Sequence, residues 1–306
     1  MGRYALQRLI GVIPLLFIVS VLVFLFIHLI PGDPARLIAG KEATLEEIQG
    51  IQHQLGLDLP LWKQYFNYMG DLLSGNLGQS IRSGLPVTDM LASRVMPTLW
   101  LTLLSMAWAL VIGLFIGVVS AVYRNRWPDY VGTLVAISGM SIPGFWLGLV
   151  LIQVFSVQLG WVPTGGVDSW KSYIMPSLTL GAGIMSMLAR YSRSSMLETM
   201  REDYIRTGRA KGLRETVVVG RHALRNSLIQ VVTVAGLQFG FLLGGSVMVE
   251  SVFSIPGIGR LLVDSILYRD YTVIQALLLI FATQFILINL IVDLLYGVLN
   301  PKIRYS

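Results

Sequence analysis

The chain has 306 residues, 54% of them hydrophobic and only 13% charged, with a mean hydropathy of +0.68. A soluble domain of this length carries about twice that share of charge, so a soluble globular protein is excluded and a membrane protein is expected. With no cysteine, disulfides, thiolate metal sites and cysteine nucleophiles are excluded as well.

Six tracts contain no Asp, Glu, Lys or Arg: Leu9–Gly32, Val95–Tyr123, Tyr130–Val167, Ser172–Ala189, Asn226–Val249 and Tyr271–Val292. A bilayer core takes about 20 apolar residues per helix, so each tract is a candidate span, the fourth being the shortest. The expected fold is an all-α membrane protein with six transmembrane helices. Arg3 and Arg8 precede the first tract as they would in a secretory signal. No small-residue cleavage site follows before Pro31-Gly32-Asp33-Pro34, so residues 1–30 are read as a retained helix.

Residues 31–97 form the first long segment outside the lipid. Thr44 with Glu47 is a capping-box pair, and Leu45, Ile48, Ile51 and Leu55 recur at helical spacing before Gly56, which predicts a short amphipathic helix. Pro60 opens a second, with Trp62, Tyr65, Phe66, Met69, Leu72 and Leu73 along one broad face and an end near Gly75. Such a stripe is an interfacial aromatic belt, a small packed cap, or a surface for a soluble partner.

Residues 98–306 hold the other five spans. Gly113 and Gly117 in the second, and Gly236, Gly240 and Gly244 in the fifth, repeat every four residues and let another backbone approach closely. Intramolecular packing, a subunit interface and a pore lining all fit that pattern. Gln238, with Gln153, Gln230, Gln284 and Asn289, is a polar spot that could line a path or bond between helices. In the third tract the helix is expected to run from Tyr130 to Leu159, kinked at Pro143-Gly144, and to give way to a loop at Gly160, Pro163, Gly165 and Gly166.

Between the fourth and fifth spans lies residues 190–225, with nine bases and four acids. Leu197, Met200, Tyr204 and Lys211 fall near one helical face, and Gly212 breaks the helix before Arg214–Arg225 resumes it. A helix, a glycine hinge and a second helix on the membrane surface are expected. Lys and Arg concentrate here, at Arg3 and Arg8, at Arg124 and Arg126, and at Lys302 and Arg304; short loops on the other side hold only Lys171, Arg260 and Arg269. Retention of positive charge then places both termini in the cytoplasm. The net charge of +6 follows from this topology and is not read as nucleic-acid affinity.

Ionisable groups near the tracts are His28, Glu250 and Asp293. His28 has no second ligand nearby and reads as an interfacial residue, while Glu250 and Asp293 read as structural charges paired within the fold. An ion-coupled secondary transporter is thinly supported, given so few buried charges and no visible inverted repeat. An intramembrane hydrolase is weaker still: Ser141 lacks a following Gly, and no His-Glu-x-x-His occurs.

Three stretches carry a family resemblance: His28-Leu29-Ile30-Pro31-Gly32-Asp33-Pro34, then Tyr204-Ile205-Arg206-Thr207-Gly208-Arg209-Ala210-Lys211-Gly212-Leu213 with His222-Ala223-Leu224-Arg225-Asn226, then Glu250-Ser251-Val252-Phe253-Ser254-Ile255-Pro256-Gly257-Ile258-Gly259. In this order they resemble the permeases of binding-protein-dependent ABC importers, and within them the dipeptide, oligopeptide and nickel branch. Gly208 stands where Ala is usual in that branch, and Asn76 and Asn300 stand where Asp is expected. The resemblance implies the ABC importer permease fold, with Tyr204 to Leu213 as the loop that couples to the ATPases. It also implies four partners: a homologous second permease, two cytoplasmic ATPase subunits and a periplasmic substrate-binding protein. The cargo would be a short peptide, glutathione first, with nickel or other peptides as alternatives. No cofactor is expected. No Gly-x-x-x-x-Gly-Lys-[Ser/Thr] occurs, since Gly40-Lys41 is followed by Glu42, so ATP hydrolysis falls to another chain.

Overall fold

A computed structural model describes residues 2–29, 34–39, 43–54 and 56–299. Pro31 to Asp33, the Gly40-Lys41-Glu42 stretch, Leu55, Asn300, Lys302 and Arg304 lie outside these.

Among the described residues the chain is helical, with no β structure beyond an isolated bridge between Gln79 and Pro86. In order come α1 (Gly2–Leu29), α2 (Pro34–Ala39), α3 (Leu45–Gln54), α4 (Leu61–Leu73), α5 (Val87–Val122), α6 (Trp127–Ser141), α7 (Gly144–Leu151), α8 (Ile174–Thr199), α9 (Asp203–Ala210), α10 (Glu215–Val217), α11 (Leu224–Val252), α12 (Ile258–Leu267) and α13 (Tyr271–Leu299). The all-α membrane fold class read from the sequence holds: among the described residues five helices are long and apolar enough to cross a membrane, and the number is six if one bent pair counts as a span.

That pair is α6 and the unit formed by α7 with the π-helical turn Ile152–Gln158, and the two meet at 101°. The expected single helix from Tyr130 to Leu159 is therefore broken rather than merely kinked. Ile142, preceding Pro143, is pushed into extended backbone (ψ 121°), and Pro143 itself is extended (ψ 131°). Two consecutive extended residues turn the chain where a proline kink alone would bend it.

α5 begins at Val87 and runs through Pro97 to Val122, 36 residues or about 54 Å at helical rise. Its register orders the core. Val87 and Leu91 pack with Ile258, Leu261, Val273 and Leu277. Further along, Leu101 lies with Met175, Val249, Phe253 and Ile255, then Ala109 with Ile184, Leu188 and Val231, and finally Ala121 with Met196, Ile205, Val218 and Ala223. Glycines set the closest approaches. A Cβ on Gly117 would lie 2.6 Å from the Ala189 carbonyl oxygen, and one on Gly113 2.8 Å from that of Met185, so α5 and α8 touch backbone to side chain along their length.

The Thr44 capping box forms in both directions: the Thr44 N–H donates to Glu47 Oε2 (2.8 Å) and the Glu47 N–H to Thr44 Oγ1 (3.3 Å). The Thr44 backbone N–H holds the Glu47 carboxyl below its ordinary pKa. Pro60 stands at the head of α4 as read, and the chain leaves that helix through Ser74 and Gly75, whose φ is +81°.

Candidate functional site

The stretch Tyr204 to Leu213 folds as α9 and its exit turn. The chain leaves α8 at Thr199, turns over Met200 to Glu202, and starts α9 at Asp203, so the continuous helical face expected from Leu197 to Lys211 is split into two helices. The cause is local: Glu202 is extended (ψ 146°) and hands the Ile205 and Arg206 N–H groups a carbonyl to start a new helix.

Gly212 ends α9 in a Schellman turn. Its φ is +77°, the Gly212 N–H donates to the Arg209 carbonyl (2.9 Å), and the Leu213 N–H reaches back to the Gly208 carbonyl (3.3 Å). Leu213 folds over Gly208, whose absent Cβ would sit 3.5 Å from Leu213 Cδ1. Across the turn, Arg209 grips Glu215 through two bonds of 3.1 and 2.6 Å, which holds the guanidinium pKa above its ordinary value. The second helix expected on the membrane surface is not separate. α10 passes through a π-helical turn, Val218–Ala223, straight into the span α11.

Within α9 only Ile205 is buried, at 1% exposure, against Met196, Val218 and Ala223. Asp203, Tyr204, Arg206, Thr207, Arg209 and Ala210 are exposed, as are Lys211, Gly212 and Leu213 beyond the helix, and Gly208 is half-buried. The Tyr204 hydroxyl accepts a bond from Asn226 Nδ2 (2.7 Å), a second strap from α9 to α11. Tyr204, Thr207, Lys211, Leu213, Val218 and His222 edge a shallow open cleft beneath it. The product is a short, rigid, solvent-facing helix bound to the root of a span.

The glycines of α11 divide. A Cβ on Gly236 would run into Val292 and one on Gly240 would meet Phe285 at 3.1 Å, so both serve packing on α13, while Gly244 faces open space. Gln238 is half-buried on the same helix.

Sequence reading did not single out Asp129. Its side chain, 4% exposed, takes a two-pronged bond from Arg193 (Nε 2.7 Å, Nη2 2.8 Å) and a third from the Asn125 N–H (2.9 Å), tying the head of α6 to α8. Glu250 is fully buried and satisfied within the fold, without a side-chain cation bonded to it among the described residues. It accepts from the Thr98 hydroxyl (2.7 Å) and from the Arg260 N–H (2.9 Å) at the head of α12, while the Ile258 N–H donates to Thr98 Oγ1 (3.0 Å). Asp293 does pair with an arginine, Arg8 (3.0 Å). His28 bonds Gln64 (3.0 Å) and the Phe24 carbonyl oxygen (2.9 Å). Asn76 donates to Asp71 (3.2 Å) and accepts from the Gly78 N–H (3.0 Å). Asp270, also unremarked in the sequence, is buried and holds the Ser80 hydroxyl (2.5 Å) and the Ile81 N–H (3.1 Å), clamping the stretch before α5 onto the stretch before α13.

Comparison with known proteins places these features in a family. Residues 113–305 match the model of the binding-protein-dependent transport system inner membrane component, and residues 1–102 match that of the N-terminal part of such membrane components. The chain belongs to this family of inner-membrane permeases. Among curated relatives, the glutathione transport system permease protein GsiC of Escherichia coli O6:H1 is 59% identical and that of strain K12 58%; the GsiC of Shigella dysenteriae serotype 1 is also 58% identical, and in each case all of both chains is covered. Among solved structures, an inward-facing MetNI methionine ABC transporter superposes with a TM-score of 0.60 at 24% identity, covering 70% of this chain and 97% of that one. An amino acid ABC transporter crystallised with histidines gives 0.56 at 17%, covering 68% and 94%. Those two similarities speak to the fold.

Proposed function

We propose that this chain is one of two membrane subunits of an ATP-driven importer, that its cargo is a short peptide with glutathione first, and that α9 is where the ATPases push. The observation carrying the cargo assignment is identity of 58–59% along the whole length of permeases named for glutathione transport. Its partners in this reading are a homologous permease, two cytoplasmic ATPase subunits and a periplasmic binding protein that delivers the substrate. The asymmetry of Lys and Arg supports both termini on the cytoplasmic side, which puts residues 31–97 outside and 190–225 inside. The division into an N-terminal helix, an outer segment and a five-span core from residue 98 follows the same reading.

Support for the coupling role comes from exposure combined with attachment. α9 offers Arg206 and its neighbours to a partner while Ile205, Tyr204 and Arg209 fasten it to α10 and α11. Closure of the ATPase pair would move α9 as a solid piece, and α11 with it, switching the pathway between openings.

The test starts with a tagged chain extracted in mild detergent and mass spectrometry of what copurifies, followed by uptake of labelled glutathione, dipeptides and nickel. Two nucleotide-binding chains, a second membrane subunit and glutathione uptake are expected. A chain that transports alone after reconstitution overturns the importer, and preferred uptake of nickel or dipeptides overturns the cargo. Arg206→Glu changes a side chain that is 77% exposed and whose loose ion pair with the fully exposed Asp203 (3.8 Å) is worth at most about 1 kcal/mol, and it should abolish ATP-driven uptake with assembly in the membrane intact. Gly212→Pro forces φ from +77° to about −65° and should do the same. Normal transport in either variant removes α9 from the coupling role.

A further inference from the structure

We infer that α4 lies in the membrane plane as a lipid-embedded anchor, with the edge Trp62, Phe66 and Leu73 seated in the leaflet at the C-terminal end of α1. At 100° per residue the helix divides into three sectors. Gln64, Tyr65, Tyr68, Met69 and Leu72 form one and are half-buried against the rest of the chain. Lys63, Asn67, Gly70 and Asp71 form the opposite, polar one. Between them, Trp62, Phe66 and Leu73 are 61%, 67% and 83% exposed. A helix flanked only by protein and water has no use for a third, apolar edge; one lying at the boundary of a bilayer needs it.

Depth is set by the register on α1. The Tyr65 hydroxyl meets Ser20 Oγ (2.8 Å), its ring stands edge-on to Phe17 and Phe24 (6.2 and 5.4 Å between centroids), and Gln64 bonds His28. The apolar span on α1 runs Leu6–Phe26, so Ser20 lies about 9 Å inside its end at helical rise. α4 is thus held at the level of Phe24 and His28, where acyl chains give way to headgroups. Its free edge continues the lipid-facing surface of α1, where Leu22 and Phe26 are 59% and 50% exposed. Lys63 holds its ammonium over the Trp62 ring, Nζ 5.5 Å from the centroid, at the seam between the apolar edge and the polar sector.

The absence of cysteine makes the test direct. Single variants W62C, F66C and L73C, with K63C and N67C as the polar sector, are spin-labelled in the full chain within its assembled transporter, in phosphatidylethanolamine/phosphatidylglycerol vesicles. Collision rates with oxygen and with a water-soluble nickel chelate are then compared. Labels at 62, 66 and 73 are expected to favour oxygen over chelate several-fold relative to 63 and 67. Equal chelate access at all five positions overturns the proposal, because the edge then faces water. Shielding of 62, 66 and 73 from both reagents also overturns it, because a protein subunit then covers the edge. Docking is checked separately by bridging the S20C/Y65C pair with a bifunctional thiol reagent long enough to replace the tyrosine ring. The contact is made by the ring's hydroxyl end, and a direct disulfide needs Cα atoms within about 7 Å. Failure of the bridge to form removes the register on which the depth rests. Which leaflet is involved follows from the orientation proposed above. The depth measurement does not depend on that orientation, so either can fail alone.

Discussion

Replacing Arg193 by Ala removes both of the bonds that a guanidinium gives to Asp129 and leaves a carboxylate, 4% exposed, with the Asn125 N–H and a long contact from Thr133 (3.5 Å). An orphaned buried charge costs about 3–5 kcal/mol when its partner is deleted. The Arg193 side chain is 32% exposed, so part of the pair's attraction is already screened and the lower end, about 3 kcal/mol, is expected. Asp129→Ala is milder, about 1–2 kcal/mol, because the long arginine can turn its charge toward water. The double variant removes the orphan along with its partner and should be more stable than Arg193→Ala alone, a non-additivity of about 1–3 kcal/mol. The assay is unfolding of the purified chain in mixed detergent micelles with increasing dodecyl sulfate, followed by tryptophan fluorescence, for the four corners of the cycle. A loss below about 1 kcal/mol in Arg193→Ala, or simple addition of the two single effects, would refute the assignment of this pair as a buried tie between α6 and α8.

Gly208→Ala should strengthen α9 by about 1 kcal/mol, since the new methyl meets Leu213 Cδ1 at an ordinary 3.5 Å; slower amide exchange across residues 203–210 is the measurement. Gly117→Ala drives a methyl to 2.6 Å from the Ala189 carbonyl oxygen and should cost about 1–3 kcal/mol, whereas Gly244→Ala, inside α11 with nothing within 4 Å, should raise stability by about 0.5–1 kcal/mol. Thr98→Val strips the donor from Glu250 and the acceptor from the Ile258 N–H and should cost about 2–3 kcal/mol in the same dodecyl sulfate titration, and Thr98→Ser should restore most of it.

What could be read from the sequence was what local chemistry fixes. Uncharged tracts located the long apolar helices, Thr44 and Glu47 announced a cap, and Gly212 announced a turn, because each signal lies within a few residues of its effect. The break at Ile142 was half legible. Pro143 marked the place, but the 101° turn depends on two residues adopting extended backbone together, which composition does not reveal. The hidden features are all distant pairings. Asp129 and Arg193 are separated by 64 positions, Thr98 and Glu250 by 152, and Ser80 and Asp270 by 190. None announces its partner by spacing. Asp129 in particular looks like an acid favouring the first turn of a helix, and its deeper role appears only when α8 crosses it. The glycine rows showed helix contact but not with which helix, since every four-residue row presents the same smooth strip whatever lies against it.

In the proposed coupling role, the straps at the two ends of α11 would let one helix carry a displacement across the molecule. At its root α9 is held by Arg209 to Glu215 and by Tyr204 to Asn226, with Ile205 wedged against Val218 and Ala223, so α9 and α11 have little freedom to move apart. At its far end Glu250 holds the first turn of α12, and the Phe253 carbonyl accepts the Gly166 N–H (3.0 Å) from the loop that follows the bent pair. Slack is absent there: a Cβ on Gly257 would overlap the Glu250 carboxylate, and one on Gly165 would overlap the Phe253 carbonyl. Close-packed joints transmit shifts instead of absorbing them. The π-helical turn Val218–Ala223, where the ordinary i→i−4 bonding gives way just before the span begins, lies at the root of α11 with Val218 and Ala223 packed on Ile205. A push on α9 that reaches α11 therefore either re-pairs that turn or moves α12 and the loop around Gly166 with it, and the buried Glu250 makes the second outcome the one that keeps every polar group satisfied.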